Sequence, residues 1–293
     1  MEVAVGSDFG IWQRQQSDAH LAEAFAPNVT FLAVADGFGV VGKGVPTATL
    51  ALTTIRDYLR RRQRHGAFGS RQATPSHLRA LLLAAFDHAN ARLFGLSGSG
   101  EDFVGSGTSV TAVLVVGYQA FVAHVGDARA YLLRLGHVEP LTADDAMFTD
   151  DPLSGAKTSV PAKPLTRGLL WRSLGTQHKL EVSIANVELL SGDELVLCTD
   201  GVHRRVESDE IGEILERSQT ATEAVARMLA LAKGRGNTDN GTLVVGRELL
   251  AATAVATHAN VFDRLRGTVA LVILAICAIS FAIYVYRFGL VPH

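Results

Sequence analysis

The sequence predicts an α+β fold in which antiparallel strands are layered against helices. Two observations carry that reading. From Thr108 to Leu141 the chain reads as short β-branched or aromatic runs broken at Gly117-Tyr118, Gly126-Asp127 and Leu135-Gly136, the pattern of a meander of antiparallel strands joined by tight turns. Helical periodicity falls in pairs between strand blocks and does not alternate singly with strands as in βαβ units.

In chain order, VTFLAVA is a buried strand that ends at Asp36-Gly37. A helix follows from Pro46 to Arg64, with Leu52, Ile55 and Leu59 at helical spacing, and a second from Pro75 to Phe94, with Leu78, Leu81, Leu82, Ala85, Phe86 and Ala89. After the meander, residues 142–167 carry three prolines and little periodicity, so they read as a flexible flap. ELVLCT is a strand that ends at Asp200-Gly201, and one helix starts after Ser208. Another is announced by Thr220-x-x-Glu223, a capping box, and closed by Gly234. Asp239-Asn240 then precedes the strand GTLVV.

The chain has 293 residues, enough for one large domain, and a formal net charge of −2 that gives no polyanion signature, so nucleic acid is not an expected partner. Cys198 and Cys277 both sit in apolar runs and read as packing residues, which suits a reducing compartment. The N-terminus lacks the charged and apolar regions of a secretory signal. Residues 268–286, TVALVILAICAISFAIYVY, run without a charge for the length of a ~30 Å hydrocarbon core and end in tyrosines. They read as a transmembrane helix; a buried core helix would need a polar stripe or a shorter span. Arg264 and Arg266 precede the span and Arg287 follows it, so the domain is expected on the cytoplasmic side of a cell membrane. The expected organisation is a domain over 1–247, a juxtamembrane linker over 248–267, the span over 268–286 and a short tail over 287–293.

Asp36, Asp200 and Asp239 each stand at a turn beside a hydrophobic run. Such turns are common as turns alone, because Asp, Asn and Gly tolerate the backbone they require. If the three runs lie side by side in one sheet core, however, the carboxylates converge and repel in a low dielectric. A hard divalent cation resolves that conflict, since Mg²⁺ and Mn²⁺ take carboxylate, carbonyl and water oxygens.

Read in order, Ser7-Asp8-Phe9-Gly10 with Asp18, Ala35-Asp36-Gly37-Phe38-Gly39, Gly107-Thr108, Val125-Gly126-Asp127-Ala128-Arg129-Ala130-Tyr131, Cys198-Thr199-Asp200-Gly201 and Thr238-Asp239-Asn240 resemble the metal-dependent type-2C (PPM) protein serine/threonine phosphatases of bacteria, from about Val3 to about Arg247. The resemblance implies a four-layer α-β-β-α sandwich, two antiparallel sheets flanked by helices, with a binuclear Mn²⁺ or Mg²⁺ centre in a cleft at one edge. It implies that Asp36 bridges both ions, that the Gly37 carbonyl binds one, that Asp200 and Asp239 hold the other, and that Asp18 acts through water. Asp127 matches a third, weaker metal position in the family, and equally suits a hairpin turn. The implied reaction is hydrolysis of phosphoserine and phosphothreonine by metal-activated water, opposing a serine/threonine kinase.

The chain departs from the family pattern at four places. Where the family carries an arginine that clamps phosphate, this chain has Gln13, and Arg14 lies on the opposite face if the segment is a strand. Ser17 stands in place of a glutamate that supports a metal-bound water. Val40-Val41 replaces the usual glycine and histidine, and Phe38 cannot donate a proton. Lys43 in the Gly42-Lys43-Gly44 turn is either a solvated turn lysine or a substitute positive charge at the cleft. Gln13 and Ser17 keep open an alternative, a catalytically weak PPM-like domain that binds phosphoproteins. The arginines from Arg56 to Arg64 read as a solvated helix end, with contact to anionic lipid as the minor reading.

Overall fold

The structure is a computed structural model that describes residues 2–41, 45–69, 73–97, 106–147, 169–170 and 172–247. The chain begins with β1 (Glu2–Asp8), β2 (Asp18–Ala26), β3 (Val29–Phe38) and the short β4 (Val40–Val41) and β5 (Val45–Pro46). Helices α1 (Thr47–Arg64) and α2 (Pro75–Ser97) come next, then β6 (Gly107–Val116), β7 (Gln119–Val125), β8 (Arg129–Arg134) and β9 (His137–Pro140). The remainder is β10 (Ala146–Met147), β11 (Leu169–Leu170), β12 (Ser183–Glu188), β13 (Glu194–Cys198), α3 (Asp200–His203), α4 (Ser208–Arg217), α5 (Ala221–Gly234) and β14 (Gly241–Arg247).

Two five-stranded antiparallel sheets, ordered β12-β7-β6-β3-β2 and β1-β14-β13-β8-β9, form the centre. Strand alternation sorts the core into three layers. On β3, Phe31, Ala33 and Ala35 join α1 and α2 through Leu52, Ile55, Leu82 and Phe86. Leu32 and Val34 point the other way and meet Leu195, Leu197 and Val244 of the second sheet. Val196, Cys198, Leu243 and Val245 pack outward on α4 and α5 through Ile211, Leu215, Val225 and Met228. The four layers α-β-β-α follow.

The helices lie where periodicity puts them, each within a few residues of its expected bounds. The Thr220 hydroxyl accepts from the Glu223 N–H at 3.1 Å, while the Glu223 carboxylate reaches the Gln219 N–H, not that of Thr220 itself. A second capping box, Glu207 with Glu210, starts α4. Glutamate in the cap position hid it from a Ser/Thr pattern.

Two expectations are corrected. The segment from Thr108 to Leu141 is not one meander: β6 and β7 form a hairpin in the first sheet, whereas β8 and β9 belong to the second. The chain changes sheets at Gly126-Asp127, and Gly126 has φ of 101°, with its missing Cβ position only 2.3 Å from Ser109 Cβ. Glycine alone permits that crossing. Nor do the three aspartate-bearing runs share a sheet, since β13 and β14 pair with each other while β3 lies in the facing sheet.

Lys43 and the expected span at 268–286 lie outside the described residues. Among the described residues no helix is long and apolar enough to cross a membrane. The flap is described only at its base, where Arg129 holds Asp144 through two bonds of 2.8 Å and Asp145 accepts from Gly126 N at 3.1 Å.

Candidate metal centre

Asp36 has the same strand parity as Leu32 and Val34, which places its carboxylate on the face between the two sheets, at their edge. Asp18, the first residue of β2, is its register partner and shares that face. Asp200 opens α3 immediately beyond β13, and Asp239 lies two residues before β14, so pairing of β13 with β14 brings these two to the same edge. Asp127 arrives there through the sheet crossing. Gly201 seals the approach: a Cβ on it would stand 2.0 Å from the Asn240 carbonyl oxygen, so any other residue would push the two aspartate turns apart.

The electrostatics record this convergence. Asp36 is held well above the usual carboxylate range, first by burial and then by the charges of Asp200, Asp18, Asp127 and Asp239. It is ringed by protein yet keeps partial solvent access. Asp18, only 6% exposed, is pushed up to about 7 by burial against a bond from Thr199, with the Asp200 charge adding to the rise. Burial and Asp200 push Asp127 up to about 6, although the Arg204 guanidinium pulls it down. Each shift disfavours a bare carboxylate, the condition that a bound cation relieves.

Several side chains fix the ring. Thr199 donates its hydroxyl to Asp18 Oδ2 at 2.7 Å and accepts from Thr242 N at 2.9 Å. Thr108 donates to the Asp36 carbonyl at 2.8 Å, beside Gly37, which pairs in register with Thr108 itself. Asn240 N caps Asp239 Oδ1 at 2.9 Å, and Asn237 Nδ2 holds the Asp239 carbonyl at 2.7 Å. His203 donates from Nε2 to the Asp127 carbonyl at 2.8 Å; burial drops its pKa to about 3, so it is a neutral structural histidine.

Among the described residues, no three His, Cys, Asp or Glu side chains close onto one point as a finished metal cage. A Mg²⁺ or Mn²⁺ centre does not require one, because these ions keep several waters and share carbonyl oxygens. The residues fit two such ions on other grounds. Five aspartates act on one another, and the buried Oδ1 of Asp18 makes no hydrogen bond in the described structure, which suits an outer position facing a bound water.

Asp18, Asp36, Asp127, Asp200 and Asp239 are thus brought together, as the sequence pattern implies. Gln13 is at the site as well, and its Nε2 donates to Asp239 Oδ1 at 3.1 Å. The strand argument about Arg14 is corrected, because residues 9–17 form a loop between β1 and β2, and alternation of faces does not apply. Ser17 bonds Asn240 Oδ1 through both its N–H and its hydroxyl, at 2.8 and 2.7 Å, a local role that bypasses water. One residue escaped the sequence reading. Arg204 Nη2 lies 3.1 Å from Asp200 Oδ2 and 3.2 Å from Asp127 Oδ2. Its signal was the four-residue spacing from Asp200, one helical turn.

A four-layer sandwich with an acidic centre between its sheets is the frame of metal-dependent protein phosphatases, and residues 13–236 match protein phosphatase 2C. The chain belongs to that family. Serine/threonine protein phosphatase PstP of Mycobacterium tuberculosis is 30% identical over 246 residues, which span 84% of this chain and 44% of PstP. Serine/threonine phosphatase stp of Listeria monocytogenes is 29% identical over 224 residues, 76% of this chain and 86% of stp. The crystal structure of the PstP catalytic domain in complex with two manganese ions superposes with a TM-score of 0.65 at 28% identity, covering 83% of this chain and 96% of that one.

Proposed function

We propose that this chain hydrolyses phosphoserine and phosphothreonine in proteins, with Asp36, Gly37, Asp200 and Asp239 holding two Mn²⁺ or Mg²⁺ ions and Asp18 acting through water. The observation that carries the reading is Asp36 itself, half-buried at the sheet edge within the field of four further aspartates. When bound, the two ions supply charge neutralisation for the phosphate and activation of water. The protein orients that chemistry: Thr199 fixes Asp18, Thr108 fixes the Asp36 backbone, and Asn237 and Asn240 fix Asp239. Gln13 offers the phosphate a neutral amide beside Asp239.

The domain is further proposed to face the cytoplasm, tethered through residues 248–267 to a span at 268–286, and to oppose a serine/threonine kinase. The uncharged span and the arginines before it support this. A second reading, a weak or inactive domain that binds phosphoproteins, is favoured by the neutral Gln13 at Asp239. Hydrolysis of para-nitrophenyl phosphate and a phosphothreonine peptide, with and without Mn²⁺, separates the two. Metal-dependent turnover supports the phosphatase. Peptide binding without turnover supports the second reading, and neither activity refutes both.

A further inference from the structure

We propose that the Arg204 guanidinium takes the place of the third, weaker metal, so that this chain works with two ions and one fixed cation. The inference rests on the metal-centre reading above. It starts from Asp127, whose carboxylate would contribute to a third, weaker metal position. Asp127 is 4% exposed and its carboxylate already faces Arg204 Nη2 at 3.2 Å, and the same nitrogen reaches Asp200 Oδ2 at 3.1 Å. Two carboxylates on one guanidinium make a charge-assisted contact that Arg keeps at any working pH.

The backbone holds this triad in place. Arg204 N bonds the Asp200 carbonyl at 3.1 Å, which sets the arginine one helical turn beyond the aspartate. His203 pins the Asp127 carbonyl at 2.8 Å, and Gly126 pins the crossing that delivers Asp127. A divalent ion at Asp127 would have to displace a guanidinium bound to both carboxylates, or share the space with it against cation repulsion. The arginine does not dissociate, so its charge beside the centre is independent of metal concentration.

The test is a Mn²⁺ titration of the full chain in mild detergent, with free Mn²⁺ followed by electron paramagnetic resonance. The variants are Arg204→Gln, Arg204→Lys, Asp127→Asn and Arg204→Gln/Asp127→Asn, with melting curves to check folding. Wild type and Arg204→Lys are expected to bind about two ions per chain. Arg204→Gln is expected to gain a third, weak site, and the double variant to lose it. Asp127→Asn alone should leave the count at two, and that result stands even if Arg204→Gln does not fold. Three ions in wild type, falling to two in Asp127→Asn, would overturn the proposal. A count of two in a folded Arg204→Gln would overturn it as well, while the metal centre itself would survive. A wild type that binds no Mn²⁺ would sink the metal-centre reading and this proposal with it.

Discussion

Asp18 on β2 and Asp36 on β3 are register partners, and the charge of Asp18 is among those that raise Asp36. A carboxyl so placed favours its protonated form when no metal is present, because burial and the surrounding aspartates raise Asp36 well above the ordinary range. Metal and proton therefore compete for the same pair.

The first prediction is a stability that runs opposite ways in pH with and without metal. Asp36 is raised, Asp18 lies at about 7 and Asp127 at about 6, whereas an unfolded aspartate titrates near ~3.9. Between those limits the native state binds more protons than the unfolded state, so metal-free stability falls as pH rises through that window. Metal-free protein should melt higher at about pH 5 than at about pH 8, and Mn²⁺ should raise the melting temperature most at the higher pH. Thermal scans in chelator and in Mn²⁺ check this; a metal-free melting temperature that rises with pH would refute it.

Asp36→Asn, Asp200→Asn and Asp239→Asn should each lower metal-dependent turnover by at least ~10²-fold, since each removes a ligand from a centre that contributes several kcal/mol. Metal-free Asp36→Asn should melt no lower than metal-free wild type, because one repelling charge is gone. Parallel kinetics and melting separate loss of metal from loss of fold.

Gln13→Arg should lower KM for a phosphopeptide about tenfold, since a charge-assisted bond contributes ~1.5–3 kcal/mol and ~1.4 kcal/mol is a factor of ten. The measurement belongs at saturating Mn²⁺, because a guanidinium next to Asp239 also competes for that carboxylate. An unchanged KM would show that another group already holds the phosphate.

Gly201→Ala puts a methyl group 2.0 Å from the Asn240 carbonyl and should cost stability and metal together. Overpacking of this kind costs ~1–3 kcal/mol, or roughly 2–4 °C per kcal/mol for a domain of this size. Calorimetric Mn²⁺ binding should weaken in the same variant; unaltered melting and binding would refute the close approach of the two turns.

Full-length protein should fractionate with membranes and resist carbonate extraction, whereas a chain ending at Leu250, the boundary of the first compact unit, should be soluble and equally active on para-nitrophenyl phosphate. External protease should spare the domain in intact cells.

The sequence by itself determined the elements and the identity of the aspartates. Leu52, Ile55 and Leu59 recur at helical spacing because one face of α1 must be buried, and Asp36, Asp200 and Asp239 stand beside apolar runs because strand ends hold side chains firmly. Those are local relations, carried by neighbouring residues. The tertiary structure decided which sheet each strand joins. The crossing at Gly126 depends on Ser109, across the β6–β7 hairpin, and it alone converts Asp127 from a hairpin turn into a member of the acidic ring. It also decided what faces the ring. Arg204 lies close to Asp200 in sequence, yet its contact with Asp127 depends on β13 pairing with β8, and Gln13 meets Asp239 across nearly the whole length of the domain's sequence. Such contacts have no period to read, because their partners are set by packing of the layers and not by the chain between them.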